Sequence, residues 1–187
     1  MSLIIEGSDN LGKTVFAKKI VRYVWDHDKY PVMYSWMTRP NEVTFDFFAG
    51  YKMMLNPYTV QDRFHLGALA YHKNKLTKRH LEYIEQWITN VGGFVVILYA
   101  EDKAWYKWHI AQDKRGNLLD NKILCRANNI FTRIIMKEHH LQPKWDYAFD
   151  ISNERFVNNK IVQMVAEDWM KRRRKLMKEI LGSPLGA

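Results

Sequence analysis

One octapeptide near the N-terminus has the residue types and the spacing of a phosphate-binding loop. Residues 7–14 read GSDNLGKT and fit the pattern G-x-x-x-x-G-K-[ST] at every fixed position. Gly7 and Gly12 permit backbone torsions and close approaches that a Cβ atom would obstruct, so the amides between them can point at phosphate oxygens. The residues predicted to form this cradle are Gly7, Ser8, Asp9, Asn10, Leu11, Gly12, Lys13 and Thr14.

The last two residues of the octapeptide supply the charge and the metal ligand that a nucleotide site needs. The Lys13 ammonium can neutralise the β- and γ-phosphates, and the Thr14 hydroxyl can bind a nucleotide-bound Mg²⁺. An apolar run at residues 2–6 precedes the loop, and apolar residues at helical spacing follow it over 15–28. An ordinary glycine turn is the alternative interpretation, but the order of strand, turn and helix favours ATP and Mg²⁺ as cofactors.

Two further polar turns follow predicted strands. Asp62 can orient Mg²⁺-bound water or accept a proton from an attacking hydroxyl, and Arg63 can clamp phosphate; the alternative is a surface ion pair. In the turn at residues 38–41, Arg39 can reach an acceptor phosphate; the alternative is a solvent-exposed arginine. Because both turns follow strands, we expect them at the same sheet edge as the octapeptide.

A basic segment at residues 101–116 follows the most strand-like run of the chain. We predict that it is a mobile lid which closes over the transferring phosphate and excludes water. A charged loop whose tryptophans dock on the body is the alternative. Its cations are Lys103, Lys107, Lys114 and Arg115, and its tryptophans are Trp105 and Trp108.

The remaining pattern alternates between strand and helix. Strands are predicted at residues 2–6, 31–36, 58–61, 94–99 and 147–151, and helices at 15–28, 66–91, 121–140 and 156–181. Strands separated by helices favour a three-layer α/β fold with a central parallel sheet of about five strands. Ligands of such a sheet bind at the carboxyl edge of the strands.

The length and the residue content limit the classes of protein. With 187 residues we expect one domain over 1–187, with the lid at 101–116 and a basic C-terminal helix at 156–181. No leader and no apolar stretch long enough for a membrane span is seen, so we expect a cytoplasmic protein. The lone Cys125 cannot form an internal disulfide and is predicted to be a buried thiol on a helix; no zinc signature is present.

The net charge of +9 is unusual for an enzyme that acts on a free nucleotide. Much of it lies in residues 171–178, which include Lys-Arg-Arg-Arg-Lys. This stretch is either the solvated end of the last helix or a contact for a polyanion such as DNA.

Several of these motifs together resemble the thymidylate kinase family of P-loop kinases. They are the first strand with GSDNLGKT, the turn at 38–40, the element from Asp62-Arg63-Phe64 to Ala70-Tyr71, and the basic segment after the fourth strand. The resemblance extends to about residue 150 and implies a P-loop kinase fold. It also implies that Asp9 contacts the acceptor sugar, that Arg39 grips the acceptor phosphate, and that Asp62 and Arg63 are the catalytic pair.

Other positions depart from that family. Its catalytic loop arginine is replaced by Asn10 and Leu11, so the resemblance implies a transition-state cation from the lid, with Arg115 preferred over Lys114. Gly67, His72 and the Asn-Glu-Val-Thr at 41–44 also differ from the family pattern and indicate an acceptor other than thymidylate. A phage-encoded branch of the family phosphorylates the 5-hydroxymethyl group of uracil in DNA.

Three functions therefore compete. The first is a kinase for 5-hydroxymethyluridine in phage DNA, with Asp62 as base, residues 171–178 as the DNA contact, and Phe64 and the lid tryptophans facing the target base. The second is a kinase for free dTMP or 5-hydroxymethyl-dUMP, and the third is a non-catalytic nucleotide-binding module. The expected partners are ATP and a pyrimidine acceptor, free or in DNA, with no membrane; a homodimer is left open.

Overall fold

The computed structural model describes residues 2–36, 59–71, 76–113, 119–153 and 158–182, with side chains described as far as residue 179. Its centre is a parallel sheet of five strands in the order β2-β3-β1-β4-β5. The strands are β1 (Leu3–Gly7), β2 (Met33–Trp36), β3 (Thr59–Asp62), β4 (Phe94–Tyr99) and β5 (Tyr147–Asp150). The helices are α1 (Lys13–Asp28), α2 (His65–Tyr71), α3 (Lys78–Asn90), α4 (Lys103–Ala111), α5 (Asn121–Ile135) and α6 (Asn159–Gly182). The predicted α/β fold is confirmed.

Burial explains the strand order. Every residue of β1, β3 and β4 is buried, whereas the edge strands β2 and β5 are partly exposed. Strands covered on both faces by helices have continuous apolar sequences, as β4 does with Phe-Val-Val-Ile-Leu-Tyr. Leu3 is in register with Val60 on one side and Phe94 on the other. The most apolar runs therefore occupy the middle of the sheet, and the loops after β1 and β3 meet at one edge.

Two predicted helices have different bounds in the structure. The helix predicted over 66–91 is wrong as a single element, because α2 ends at Tyr71 and α3 begins at Lys78. Thr77 is an N-cap in extended conformation whose side chain accepts a hydrogen bond from the His80 amide, which starts a new helix. The helix predicted over 121–140 ends at Ile135, shortly before Lys137 takes up a left-handed backbone with φ 59°.

The segment at 101–116 is helical where the structure describes it. Asp102 caps α4 by accepting hydrogen bonds from the Ala104 and Trp105 amides, and Tyr106 and Ile110 are buried against the body. The alternative of a charged loop is therefore wrong for 103–111, and the lid stays a prediction. Trp105 packs against the hydrophobic core and its ring stacks on His109, whereas Trp108 is exposed. Residues 114–116 lie outside the described residues.

The arginines of residues 171–174 lie at the amino edge of the sheet, away from the loops after β1 and β3. Arg172 binds Asp146, just before β5, and its guanidinium lies 4.5 Å from the Phe94 ring at the start of β4. Arg173 is buried with its guanidinium 3.6 Å from the Tyr30 ring. These arginines hold α6 to the body at the amino edge. The sequence left open whether this stretch faces the acceptor, and DNA as its partner stays a prediction.

None of the helices in the described ranges combines the length and the apolar composition that a membrane span requires. Cys125 lies on α5 as predicted, but it is only partly buried.

Candidate nucleotide-binding site

The octapeptide forms the turn between β1 and α1 at the carboxyl edge of the sheet. Gly7 has φ 139°, and a Cβ atom there would lie 2.2 Å from the carbonyl oxygen of Leu98. Gly12 has φ 76° and open space around it, so its backbone conformation rather than crowding requires glycine. α1 begins at the next residue. The loop therefore places backbone amides at a helix N-terminus in the central part of the sheet, where an anion is favoured.

Lys13 lies inside this loop with its side chain 5% exposed. Its ammonium donates a hydrogen bond of 2.5 Å to the Ser8 carbonyl oxygen and lies 3.6 Å from the Asp9 carboxylate. Burial lowers the pKa of Lys13 and the neighbouring Arg63 adds to this, whereas Asp9 acts in the opposite direction. A phosphate in the loop would add further countercharge to this buried ammonium.

Thr14 and Asp62 form the part of the site suited to a divalent cation. The Thr14 hydroxyl donates a 2.6 Å hydrogen bond to Oδ2 of Asp62, and the Tyr34 hydroxyl donates one of 3.0 Å to the same oxygen. Oδ1 of Asp62 is buried and has no hydrogen-bond partner among the described residues. Hydroxyl and carboxylate oxygens are the ligands that Mg²⁺ prefers, so these two residues fit a nucleotide-bound Mg²⁺.

Arg63 follows Asp62 in the chain but contacts the first half of the octapeptide, whereas Asp62 contacts its last residue. Its backbone is left-handed with φ 70°, and its amide donates a hydrogen bond to the Ile5 carbonyl at 2.9 Å. Its guanidinium binds the Asp9 carboxylate and lies 5.8 Å from the Trp36 ring. The left-handed residue ends β3, and Asp62 and Arg63 both reach residues of the octapeptide.

A buried ionisable pair lies beneath the loop. The Glu6 carboxylate accepts hydrogen bonds from the amides of Leu66 at 2.7 Å and Gly67 at 3.2 Å, which ties β1 to the start of α2. Burial raises the pKa of Glu6 to about 7 and lowers the pKa of His65 to about 3. Nδ1 of His65 lies 3.5 Å from Glu6 Oε1. The sequence analysis did not identify Glu6, although an acid inside the apolar run Leu-Ile-Ile-Glu-Gly is the signal that could have found it.

Three more side chains that the sequence analysis missed contact the octapeptide. The Tyr71 hydroxyl accepts a hydrogen bond from the Asp9 amide at 3.0 Å. The Tyr106 hydroxyl donates to the Asp9 carbonyl at 2.8 Å, and Nε2 of His109 lies 2.9 Å from the Asn10 carbonyl oxygen. No sequence pattern identified them, since they are 62 to 99 residues away from their partners.

Five of the predicted site residues are joined by hydrogen bonds or ion pairs between their side chains, and one is buried in the core. Those that meet are Asp9, Lys13, Thr14, Asp62 and Arg63. Phe64 is 1% exposed and packs in the hydrophobic core, so its ring is not placed to stack on an acceptor base. Arg39 and Arg115 lie outside the described residues, and their roles stay predictions.

Comparison with known proteins agrees with this architecture. No family model and no curated protein matches the chain. It is similar to the crystal structure of YorR from Bacillus subtilis in complex with phosphorylated GDP, with 22% identity, a TM-score of 0.57, and coverage of 96% of this chain and 97% of that one. The chain therefore shares the fold of that protein, with a five-stranded parallel sheet and the glycine-containing loop between β1 and α1.

Two other solved structures resemble the chain more weakly. Kti12 of Chaetomium thermophilum in complex with ADP-AlF3 has 13% identity and a TM-score of 0.49, over 92% of this chain and 98% of that one. A gluconokinase from Sinorhizobium meliloti 1021 has 10% identity and a TM-score of 0.48, over 98% and 97%.

Proposed function

We propose that the protein is an ATP-dependent kinase that transfers the γ-phosphate to a pyrimidine deoxynucleotide. The observation that carries the proposal is the pairing of Thr14 with Asp62 next to the buried Lys13 ammonium. Mg-ATP would supply the phosphoryl group and the divalent cation. Lys13 would then balance the charge that develops between the β- and γ-phosphates, and Thr14 and Asp62 would hold the cation.

Arg63 is the candidate for the acceptor side. Asp9 orients its guanidinium, and the two side chains are only 24% and 20% exposed, so the pair is held in one geometry at the edge of the loop. A fixed guanidinium can grip two phosphate oxygens at once. Arg39 and Arg115 complete the proposal as the acceptor clamp and the transition-state cation implied by the thymidylate kinase resemblance.

We place a free pyrimidine monophosphate ahead of 5-hydroxymethyluracil in DNA as the acceptor. The DNA interpretation used residues 171–178 as the polyanion contact, and the arginines of this stretch bind the body at the amino edge, away from the loops after β1 and β3. The net charge of +9 and the departures from the thymidylate kinase pattern still favour DNA as the second candidate. A non-catalytic nucleotide-binding module remains the third.

One assay separates these candidates. The protein is incubated with γ-labelled ATP and Mg²⁺, and with dTMP, 5-hydroxymethyl-dUMP, 5-hydroxymethyluracil-containing duplex DNA or unmodified DNA, and the labelled products are resolved. Because YorR is found with a guanine nucleotide, dGMP is included. We expect label in a free pyrimidine monophosphate and none with Lys13→Ala, while the exposed Lys122→Ala control keeps activity.

The other possible results of this assay distinguish the remaining candidate functions. Label only in the modified DNA would promote the second candidate, and label only in dGMP would refute a pyrimidine acceptor. ATP binding with no transfer to any acceptor would favour a nucleotide-binding module.

A further inference from the structure

Helix α4 makes two hydrogen bonds to consecutive carbonyl groups of the octapeptide. The Tyr106 hydroxyl donates to Asp9 O at 2.8 Å, and His109 places Nε2 at 2.9 Å from Asn10 O, so this nitrogen carries the proton. The two side chains are three residues apart and so lie on one face of the helix. Helix α4 therefore binds the middle of the octapeptide through two backbone carbonyl groups.

Holding these carbonyls determines where the loop amides point. In a planar trans peptide unit the C=O and the N–H point in opposite directions. Fixing Asp9 O therefore orients the Asn10 amide, and fixing Asn10 O orients the Leu11 amide. Asn10 has a left-handed backbone with φ 63°, a conformation in which asparagine is enriched among the residues other than glycine.

The contact is embedded in a buried network of hydroxyl groups. The Ser8 hydroxyl oxygen lies 2.6 Å from the Tyr106 oxygen and 3.5 Å from the Tyr71 oxygen. Burial raises the pKa of both tyrosines, which keeps their hydroxyls protonated at neutral pH. The Ser8 hydroxyl donates to the Leu124 carbonyl at 3.2 Å, and the Tyr106 hydroxyl donates to Asp9 O. Desolvated networks of this kind are strong when all members are satisfied.

We propose that Tyr106 and His109 are positioning residues for the donor nucleotide, acting through the carbonyls of Asp9 and Asn10. Helix α4 and donor binding are then coupled: docking of α4 orients the amides that receive phosphate, and a bound nucleotide stabilises the docked helix in return. The inference rests on the proposed function in that ATP is the donor. In this proposal the segment at 101–113 anchors the octapeptide through these two carbonyl groups.

The test is direct ATP binding to the purified full-length chain, measured by calorimetry without acceptor. Tyr106→Phe removes only the hydroxyl, and His109→Ala removes the ring donor. We expect each to weaken ATP binding by about 5- to 10-fold, the scale of one lost buried hydrogen bond. His109→Gln keeps an N–H donor and should recover most of the affinity. Tyr99→Phe is the matched control, because Tyr99 is similarly buried and makes no hydrogen bond to residues 7–14.

Kinetics distinguish positioning from general damage. In the transfer assay the KM for ATP should rise in Tyr106→Phe and His109→Ala while the KM for the acceptor stays at the wild-type value. Equal increases in both KM values, no recovery by His109→Gln, or wild-type ATP affinity in both variants would overturn the inference. Failure of the wild-type chain to bind ATP would instead overturn the proposed function.

Discussion

The buried carboxyl group of Glu6 makes the stability of this protein depend on pH in a defined way. The side chain is fully buried beneath the octapeptide, and burial raises its pKa from 4.5 to about 7 even though the Leu66 amide bond acts in the opposite direction. Between these two values the native chain keeps a proton that the unfolded chain has released. The stability contributed by protonated Glu6 is therefore complete below pH 4.5 and is lost as the pH rises to about 7.

The size of the effect follows from the shift. Each pKa unit corresponds to about 1.4 kcal/mol, so the free energy of unfolding should fall by roughly 3 kcal/mol across the window because of Glu6. His65 acts in the opposite direction. Its pKa is lowered to about 3, so the native chain lacks a proton that the unfolded chain binds below pH 6.5, and stability rises with pH. The two groups oppose each other between pH 4.5 and 6.5 and flatten the wild-type curve.

A variant separates the two contributions. Urea unfolding of wild type and Glu6→Gln is followed by tryptophan fluorescence from pH 4.5 to 7.5, and the difference in unfolding free energy is plotted against pH. As the pH rises, the free energy of unfolding of Glu6→Gln should increase relative to that of wild type by roughly 3 kcal/mol, whatever the difference is at pH 4.5. Glu82→Gln is the control, because the Glu82 side chain is 63% exposed, and its difference from wild type should stay flat. A pH-independent difference for Glu6→Gln would refute the reasoning.

Three further predictions concern the site and the basic helix. Lys13→Ala should nearly abolish turnover at saturating Mg-ATP and leave the circular dichroism spectrum unchanged, because its ammonium serves the transferring phosphate; wild-type turnover would contradict the phosphate-cradle assignment. Asp62→Asn should lower turnover by roughly 100-fold or more if the acceptor is a hydroxyl, and an unchanged pH profile with 5-hydroxymethyluracil DNA would remove Asp62 from the base role. Arg173→Ala should lower the free energy of unfolding by about 1–2 kcal/mol, since it removes a buried guanidinium from the Tyr30 ring. The exposed Lys175→Ala should change it little, and equal stabilities in urea would contradict a structural role for Arg173.

The sequence by itself determined the phosphate loop and most of the sheet. The loop was predictable because its requirements are local: Gly7 and Gly12 are needed for their own backbone torsions, and Lys13 and Thr14 follow at once. Strands β1 and β4 were predictable because apolar runs such as 94–99 must be buried on both faces. The convergence of Thr14 and Asp62 followed from the rule that parallel strands end at one edge.

Only the tertiary structure decided which groups meet across long distances in the chain. Tyr106 and His109 reach the octapeptide because α4 packs beside it, and the arginines near residue 173 lie far from it because α6 runs back to the amino edge. The raised pKa of Glu6 is equally nonlocal, since its cause is burial in the folded chain. Residue types and spacing specify local geometry, whereas burial and electrostatics depend on which surfaces the packing brings into contact.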